Sequence, residues 1–234
     1  MRSVQTRCVM AKPSFAAMAL AVVLLAFAGV KPADALSEPE ALVEEARITV
    51  QKILHDPEMA ELPGYLARAR AVIIMPRMIK AGFLLGGEGG TGVLLVKGSD
   101  GSWSPPAFYT MAAGSIGLQI GGQVSETIFT VMNDEAVIAL MDHKIKLGGD
   151  VSLAVGPIGK GLEVSTTTHF SKDIYAFTKP IGLFGGPSLE GAALITRDQL
   201  NKTYYAADAT PQQIVLERKF FNAHADPLRQ ALAE

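Results

Sequence analysis

Apolar positions recur at two different periods along the 234-residue chain, and the change of period divides it. Leu42, Ala46, Val50 and Ile53 follow one another at helical spacing, while Glu44, Glu45, Arg47 and Lys52 face elsewhere. Ser37 precedes this stripe as an N-cap, with Pro39 and Glu40 in the opening turn. Asp56-Pro57-Glu58 starts a second short helix that Pro63-Gly64 closes. Near the other end, Thr210-Pro211 opens a helix whose apolar side is Ile214, Val215 and Phe221, with Leu216 partly aligned. Arg218 and Lys219 lie in its C-terminal half, where the macrodipole favours cations.

Between these flanks the pattern changes. All but two of the 23 glycines lie between Gly82 and Gly191, and they punctuate short apolar runs. That pattern predicts strands joined by tight turns and bulges, at 71–76, 82–86, 91–97, 107–113, 115–120, 123–131, 150–155, 162–169, 172–178 and 189–195. Val72-Ile73-Ile74 is apolar without interruption, which predicts a central strand. Ser125 to Val131 alternates loosely, which predicts a half-exposed one. Asn133-Asp134-Glu135 caps a helix continuing through Ala136, Val137, Leu140 and Met141. The predicted class is α+β: a curved, glycine-rich antiparallel sheet or partial barrel flanked by N- and C-terminal helices.

Residues 1–35 have a different character. Arg2, Arg7 and Lys12 precede an apolar run from Phe15 to Val30, and Ala33-Asp34-Ala35 follows. A basic start, a medium apolar stretch and small residues at a cleavage site predict a secretory signal. The run is short of the roughly 20 residues needed to span a bilayer. Cys8 is the only cysteine and precedes the run, so residues 36–234 are expected to fold as one domain without disulfide or thiolate chemistry. That portion carries a net charge of about −5, against −2 for the full chain, which argues against nucleic acid as a partner. The expected location is periplasmic or secreted, with peripheral attachment to an envelope membrane.

Catalytic and cofactor signals are weak. Gly87-Glu88-Gly89-Gly90-Thr91-Gly92 fits a dinucleotide fingerprint in spacing, but the strand-like Val93-Leu94-Leu95-Val96 follows where a helix is required. A glycine-rich hairpin is the expectation there. Gly156-Pro157-Ile158-Gly159-Lys160-Gly161 lacks the Ser/Thr that a phosphate loop needs after its lysine. His55, His143, His169 and His224 have no histidine or cysteine at metal-ligand spacing, and Asp142-His143-Lys144 reads as a charged turn. Ser115 lacks the nucleophile-elbow pattern. No cofactor and no enzymatic activity are expected, although a triad assembled from distant residues is open at this stage.

The segment Lys179-Pro180-Ile181-Gly182-Leu183-Phe184-Gly185-Gly186-Pro187 places three large apolar side chains among glycines and prolines, directly after a lysine. It reads either as a buried loop or as an apolar tip that enters a bilayer beside a cation. The candidate lipid contacts are Lys179, Ile181, Leu183 and Phe184, with Lys160 and Lys172 as headgroup contacts.

The order of motifs is informative as a whole. Ala71-Val72-Ile73-Ile74-Met75-Pro76, Lys80-Ala81-Gly82-Phe83, Trp103-Ser104-Pro105-Pro106-Ala107-Phe108 and Gly114-Ser115-Ile116-Gly117-Leu118-Gln119-Ile120-Gly121 lead to Gly156-Pro157. Gly182-Leu183-Phe184-Gly185-Gly186-Pro187-Ser188-Leu189-Glu190-Gly191 and Tyr204-Tyr205 follow. This string resembles the SYLF, or Ysc84-type, domain across about residues 60–215. The resemblance implies a lipid-binding module without catalytic residues or cofactor; eukaryotic relatives bind phosphoinositides and, in some cases, actin filaments. Here the N-terminal helix carries Glu38, Glu40, Glu44 and Glu45 against Arg47 and Lys52, which argues against phosphoinositide specificity. Export argues against actin as a partner. The leading expectation is therefore a phospholipid-binding envelope domain. A protein-interaction module docking through the 42–53 stripe is the alternative.

Overall fold

The computed structural model describes residues 36–83, 85–116, 121–147, 150–155, 173–181 and 192–234. Helix α1 (Glu38–Leu54) begins where the sequence places it. The Ser37 backbone N–H and hydroxyl both donate to Glu40 Oε2, at 2.8 and 2.7 Å. Val43, Ala46, Val50 and Ile53 form its buried stripe, so Val43 takes the place expected for Leu42, which is only partly buried. A 3-10 turn (Pro57–Met59) and α2 (Leu62–Arg68) follow.

The sheet comprises β1 (Ala71–Phe83), β2 (Leu85–Val96), β3 (Ala107–Ile116), β4 (Gly121–Val131), β5 (Lys144–Lys146), β6 (Leu153–Val155), β7 (Ile174–Ile181) and β8 (Ala193–Thr196). Their order is β5-β8-β3-β2-β1-β4-β7-β6, antiparallel except for the β6–β7 pair. The α+β class is as expected, and β1 is central. Its uninterrupted apolar run is explained because both faces of the sheet are covered. Val72 and Ile74 pack with α1, α2, Phe108, Ile128 and Phe177. Ile73 and Met75 pack with Tyr109, Phe129 and the far-side helix α3 (Asp134–Ala139). Asn133 caps α3 through its Oδ1, which accepts from Ala136 N at 2.7 Å.

Several expectations need correction. The strand expected at 82–86 is divided between the end of β1 and the start of β2. The strand expected at 71–76 runs on to Phe83 through a bulge, where register shifts between Ile74 and Arg77 on the β2 side. Pro76 sits in that interval, a position where the missing N–H removes no ladder bond. The glycine-rich hairpin expected at 87–92 is instead the interior of β2. Residues 107–113 and 115–116 form one strand. Ser125–Val131 is buried rather than half-exposed, because β4 lies between β1 and β7 under cover on both sides. Its polar side chains find partners there: Thr127 with Thr178 at 3.1 Å, and Glu126 with Lys52 at 2.8 Å. The expected strand at 162–169 lies outside the described residues.

The C-terminal flank is broken into pieces: α4 (Asp198–Tyr205), α5 (Pro211–Val215), a 3-10 turn (Ala223–Ala225) and α6 (Asp226–Ala231). The single helix expected from 210 ends at Leu216, and Phe221 is exposed rather than on a core-facing stripe. Arg218, with φ at 51°, is in the left-handed region and cannot continue a helix.

Candidate binding surface

The bulge at Pro76 reverses which face successive β1 residues occupy. Before it, Val72 and Ile74 face α1; after it, Arg77 and Ile79 do. The reversal puts Ile79 on the α1 side of the sheet beyond the reach of the helix, leaving it 52% exposed. Val124, directly opposite in the β1–β4 register, is 36% exposed, and Ile48 on the outward flank of α1 is 39% exposed. Ile79 also stands opposite Gly89, and Ala81 stands opposite Gly87 and Gly122. Small residues thus surround the two bulky ones, and the result is a smooth apolar strip.

Two hollows border the strip. One, of about 220 Å³, lies between α1 and Val124, with Ile48 and Pro76 in its wall. The other, of about 410 Å³, is walled by Leu42, Ile79, Gly89 and Thr91. Between them the Arg77 guanidinium donates to Glu45 Oε1 at 3.1 Å. Lys52 is similarly engaged with Glu126. The cations beside the strip are therefore matched by carboxylates, and the surface has little net field.

Among the residues singled out from sequence, Lys179 lies in β7 and its ammonium pairs with Asp56 Oδ2 at 2.5 Å. Lys179 and the Glu58 N–H hold the Asp56 carboxyl below its usual range, and Asp56 raises the lysine in turn. Ile181 ends β7 at the register position opposite Val124. Lys160, Lys172, Leu183 and Phe184 lie outside the described residues. Sequence reasoning passed over Ile79, Val124 and Ile48. The one available signal was Pro76 inside an apolar strand, which implies a bulge and hence a change of face.

On the other face of the sheet, Lys80, Glu88 and Gln123 form a buried row in register across β2, β1 and β4. Burial raises the Glu88 carboxyl, more than the attraction of Lys80 lowers it. A folded-state pKa above the unfolded one means the native state holds the proton more tightly, so this contribution is lost as pH rises through the raised value. The stability of wild type relative to Glu88→Gln is therefore expected to decline from pH 4 to pH 7. Urea titrations at several pH values would show it, and a flat difference would contradict it.

The geometry offers no relay for nucleophilic catalysis at its most triad-like grouping. Thr196 Oγ1 and Asp198 Oδ2 approach His143 at 2.7 and 3.8 Å, but both meet the same ring nitrogen, Nδ1. A working base uses its two nitrogens for different partners. Among the described residues there is no cluster of three or more metal-ligating side chains, and no helix is long and apolar enough to cross a membrane. Gly87–Gly92 lies within a strand and presents no helix N-terminus to a pyrophosphate.

The family profile described as Ysc84, "Las17-binding protein actin regulator", matches residues 112–234. The chain belongs to the Ysc84 family. Protein YSC84 of Saccharomyces cerevisiae is 35% identical over 173 residues, covering 73% of this chain and 37% of its own length. LAS seventeen-binding protein 3 from the same yeast is 33% identical over the same span. The human SH3 domain-containing YSC84-like protein 1 is 34% identical over 168 residues, or 71% of this chain and 49% of its own. This chain thus spans less than half of these relatives. The expectation that actin is not a partner is overturned, because the matching family is described as an actin regulator and one yeast relative is named for binding LAS seventeen.

Proposed function

We propose that residues 36–234 act as a non-enzymatic binding domain that docks reversibly on phospholipid surfaces of the cell envelope after export. The exposed apolar strip of Ile79, Val124 and Ile48 supports this reading. Full burial of such a side chain yields about 1.5–3 kcal/mol; these are already partly covered, so each contributes about 1 kcal/mol. With neighbouring charges paired, attraction to anionic headgroups adds little, and attachment is weak and nearly independent of salt. Lys179, Ile181, Leu183, Phe184, Lys160 and Lys172 remain the proposed contacts from the 160–184 region.

Co-sedimentation with vesicles tests the reading. Wild type is expected to pellet with both zwitterionic and anionic vesicles, with similar fractions bound at 20 and 150 mM salt. The double change Ile79→Ser and Val124→Ser is expected to lower the bound fraction about five-fold without loss of secondary structure. Failure of the wild type to pellet with any vesicle would end the lipid reading. Unchanged binding by the double variant, together with loss in Leu183→Ser and Phe184→Ser, would move the contact to the second segment.

A second reading is favoured by the relatives' descriptions, which name Las17 binding and actin regulation: in this chain the same strip docks a protein partner. Co-sedimentation with actin filaments is its direct test. Binding there that Ile79→Ser and Val124→Ser abolish, with no vesicle association, would favour the protein reading.

A further inference from the structure

Away from the Ile79 strip, a hollow of about 310 Å³ opens between the end of β2, α3 and the end of α5. Its floor is apolar and buried: Val96, Val137 and Val215. Two of the exposed large hydrophobic residues stand on its rim, Ile138 at 65% and Leu216 at 42%. Three cations line it, Arg70, Lys97 and Arg218.

The backbone brings these charges together. Arg70 just before β1 and Lys97 just after β2 stand side by side, joined by Lys97 N donating to Arg70 O at 2.8 Å. The Lys97 ammonium donates to Leu66 O and Ala67 O, at 2.8 and 3.2 Å, and rests over the Trp103 ring. Burial, and secondarily the charge of Arg70, lower its pKa. Arg218 donates to Ser102 Oγ and O, with Asp100 3.9 Å away. Arg70 differs from the other two: its Nε donates to Asp134 Oδ1 at 2.7 Å, while its two terminal nitrogens have no partner among the described residues. Three cations against two carboxylates leave the hollow with an excess positive charge and one free guanidinium fork.

We propose that this hollow binds a single-chain amphiphile ending in a carboxylate, with the headgroup on Arg70 and the alkyl chain over the valine floor. The end-on guanidinium fork matches the two oxygens of a carboxylate, and a planar pair of parallel bonds is the strong form of that contact. The volume sits near the lower limit of small-molecule sites, about 300 Å³, which suits one short chain rather than a two-chain lipid. Ile138 and Leu216 close over the chain where it leaves the floor.

Isothermal titration of the protein with octanoate, below its micellar range, tests the assignment. Octanol and acetate serve as probes of the chain alone and the charge alone. Octanoate is expected to bind at least ten-fold more tightly than either. Arg70→Gln is expected to weaken octanoate about ten-fold, and Ile138→Ser about three-fold. Asp134→Asn, which releases Arg70 Nε, is expected to strengthen it about three-fold, a gain that a damaged fold would not produce. Equal affinity for octanol, tighter binding of octyl phosphate than octanoate, or no octanoate binding at millimolar concentration would each overturn the proposal. So would a folded Arg70→Gln with wild-type affinity.

Discussion

Gly92→Ala is expected to destabilise the domain by about 3 kcal/mol or more, a large loss for a single methyl group. The reason lies in the β1 bulge. Register runs from Ile74 opposite Val93 to Arg77 opposite Thr91, so Gly92 receives the strand where it bends inward. A Cβ there would sit 2.1 Å from Ile74 O, 2.6 Å from Met75 Sδ and 2.9 Å from Ile74 C. The methionine sulfur can swing away, but the carbonyl cannot. On its other side β1 is held by β4, with Ile74 opposite Ile128 and Met75 opposite Thr127. Relief requires moving the central strand of the sheet. Gly114→Ala is the control: it lies in β3, and a Cβ there meets nothing within 4 Å. Its effect should stay within about 0.5 kcal/mol. Urea denaturation should show a lower midpoint with an unchanged slope for Gly92→Ala. A loss below about 1 kcal/mol would mean that the two strands are less closely apposed than described.

That bulge also marks where the sequence became hard to read. Signals local to a few residues were legible. Ser37 with Pro39 and Glu40, Asn133 with Asp134 and Glu135, and Thr210 with Pro211 each announce a helix start, and each cap is present. The run Val72-Ile73-Ile74 announced a strand covered on both faces. Glycines misled, because they normally mark turns. In β2 they mark close approach: a Cβ at Gly90 would lie 2.4 Å from Arg77 O. Such a cause belongs to the neighbouring strand and leaves no trace in the local pattern. Helix α4 was missed because its buried face mixes Leu200 and Tyr204 with a polar residue, Asn201, whose Oδ1 accepts from Phe108 N at 3.0 Å.

The candidate strip was illegible for a related reason. Val124 and Ile79 look like core residues of apolar strands, and only the parity change after Pro76 carries Ile79 past the edge of α1. The strip therefore depends on two things, the bulge that turns Ile79 outward and the position of α1 that leaves it uncovered. A change that shifts α1 should alter binding even if every apolar side chain of the strip is intact.

Trp103→Ala is expected to cost about 3–5 kcal/mol, the range for truncating a large buried aromatic residue. The ring is almost fully buried in the core cluster on the α1 side, with Leu66 of α2, Ala231 of α6 and the adjoining Leu232 as other members. Its Nε1 donates to Leu232 O at 3.0 Å, and Arg229 Nε donates to the Trp103 carbonyl at 2.8 Å. One residue between β2 and β3 thus fastens the C-terminal helix to the sheet, and that helix packs against α1. Trp103→Phe separates the two contributions: it keeps most of the volume but leaves Leu232 O without its donor, for about 1–2 kcal/mol. Because this is the only tryptophan, unfolding should be followed by far-ultraviolet circular dichroism rather than fluorescence. Equal losses in the two variants would show that the hydrogen bond, not the packing of the ring, holds the C-terminal layer in place. The expected order, alanine well below phenylalanine, would instead make the indole volume the anchor that sets α1 beside Ile79.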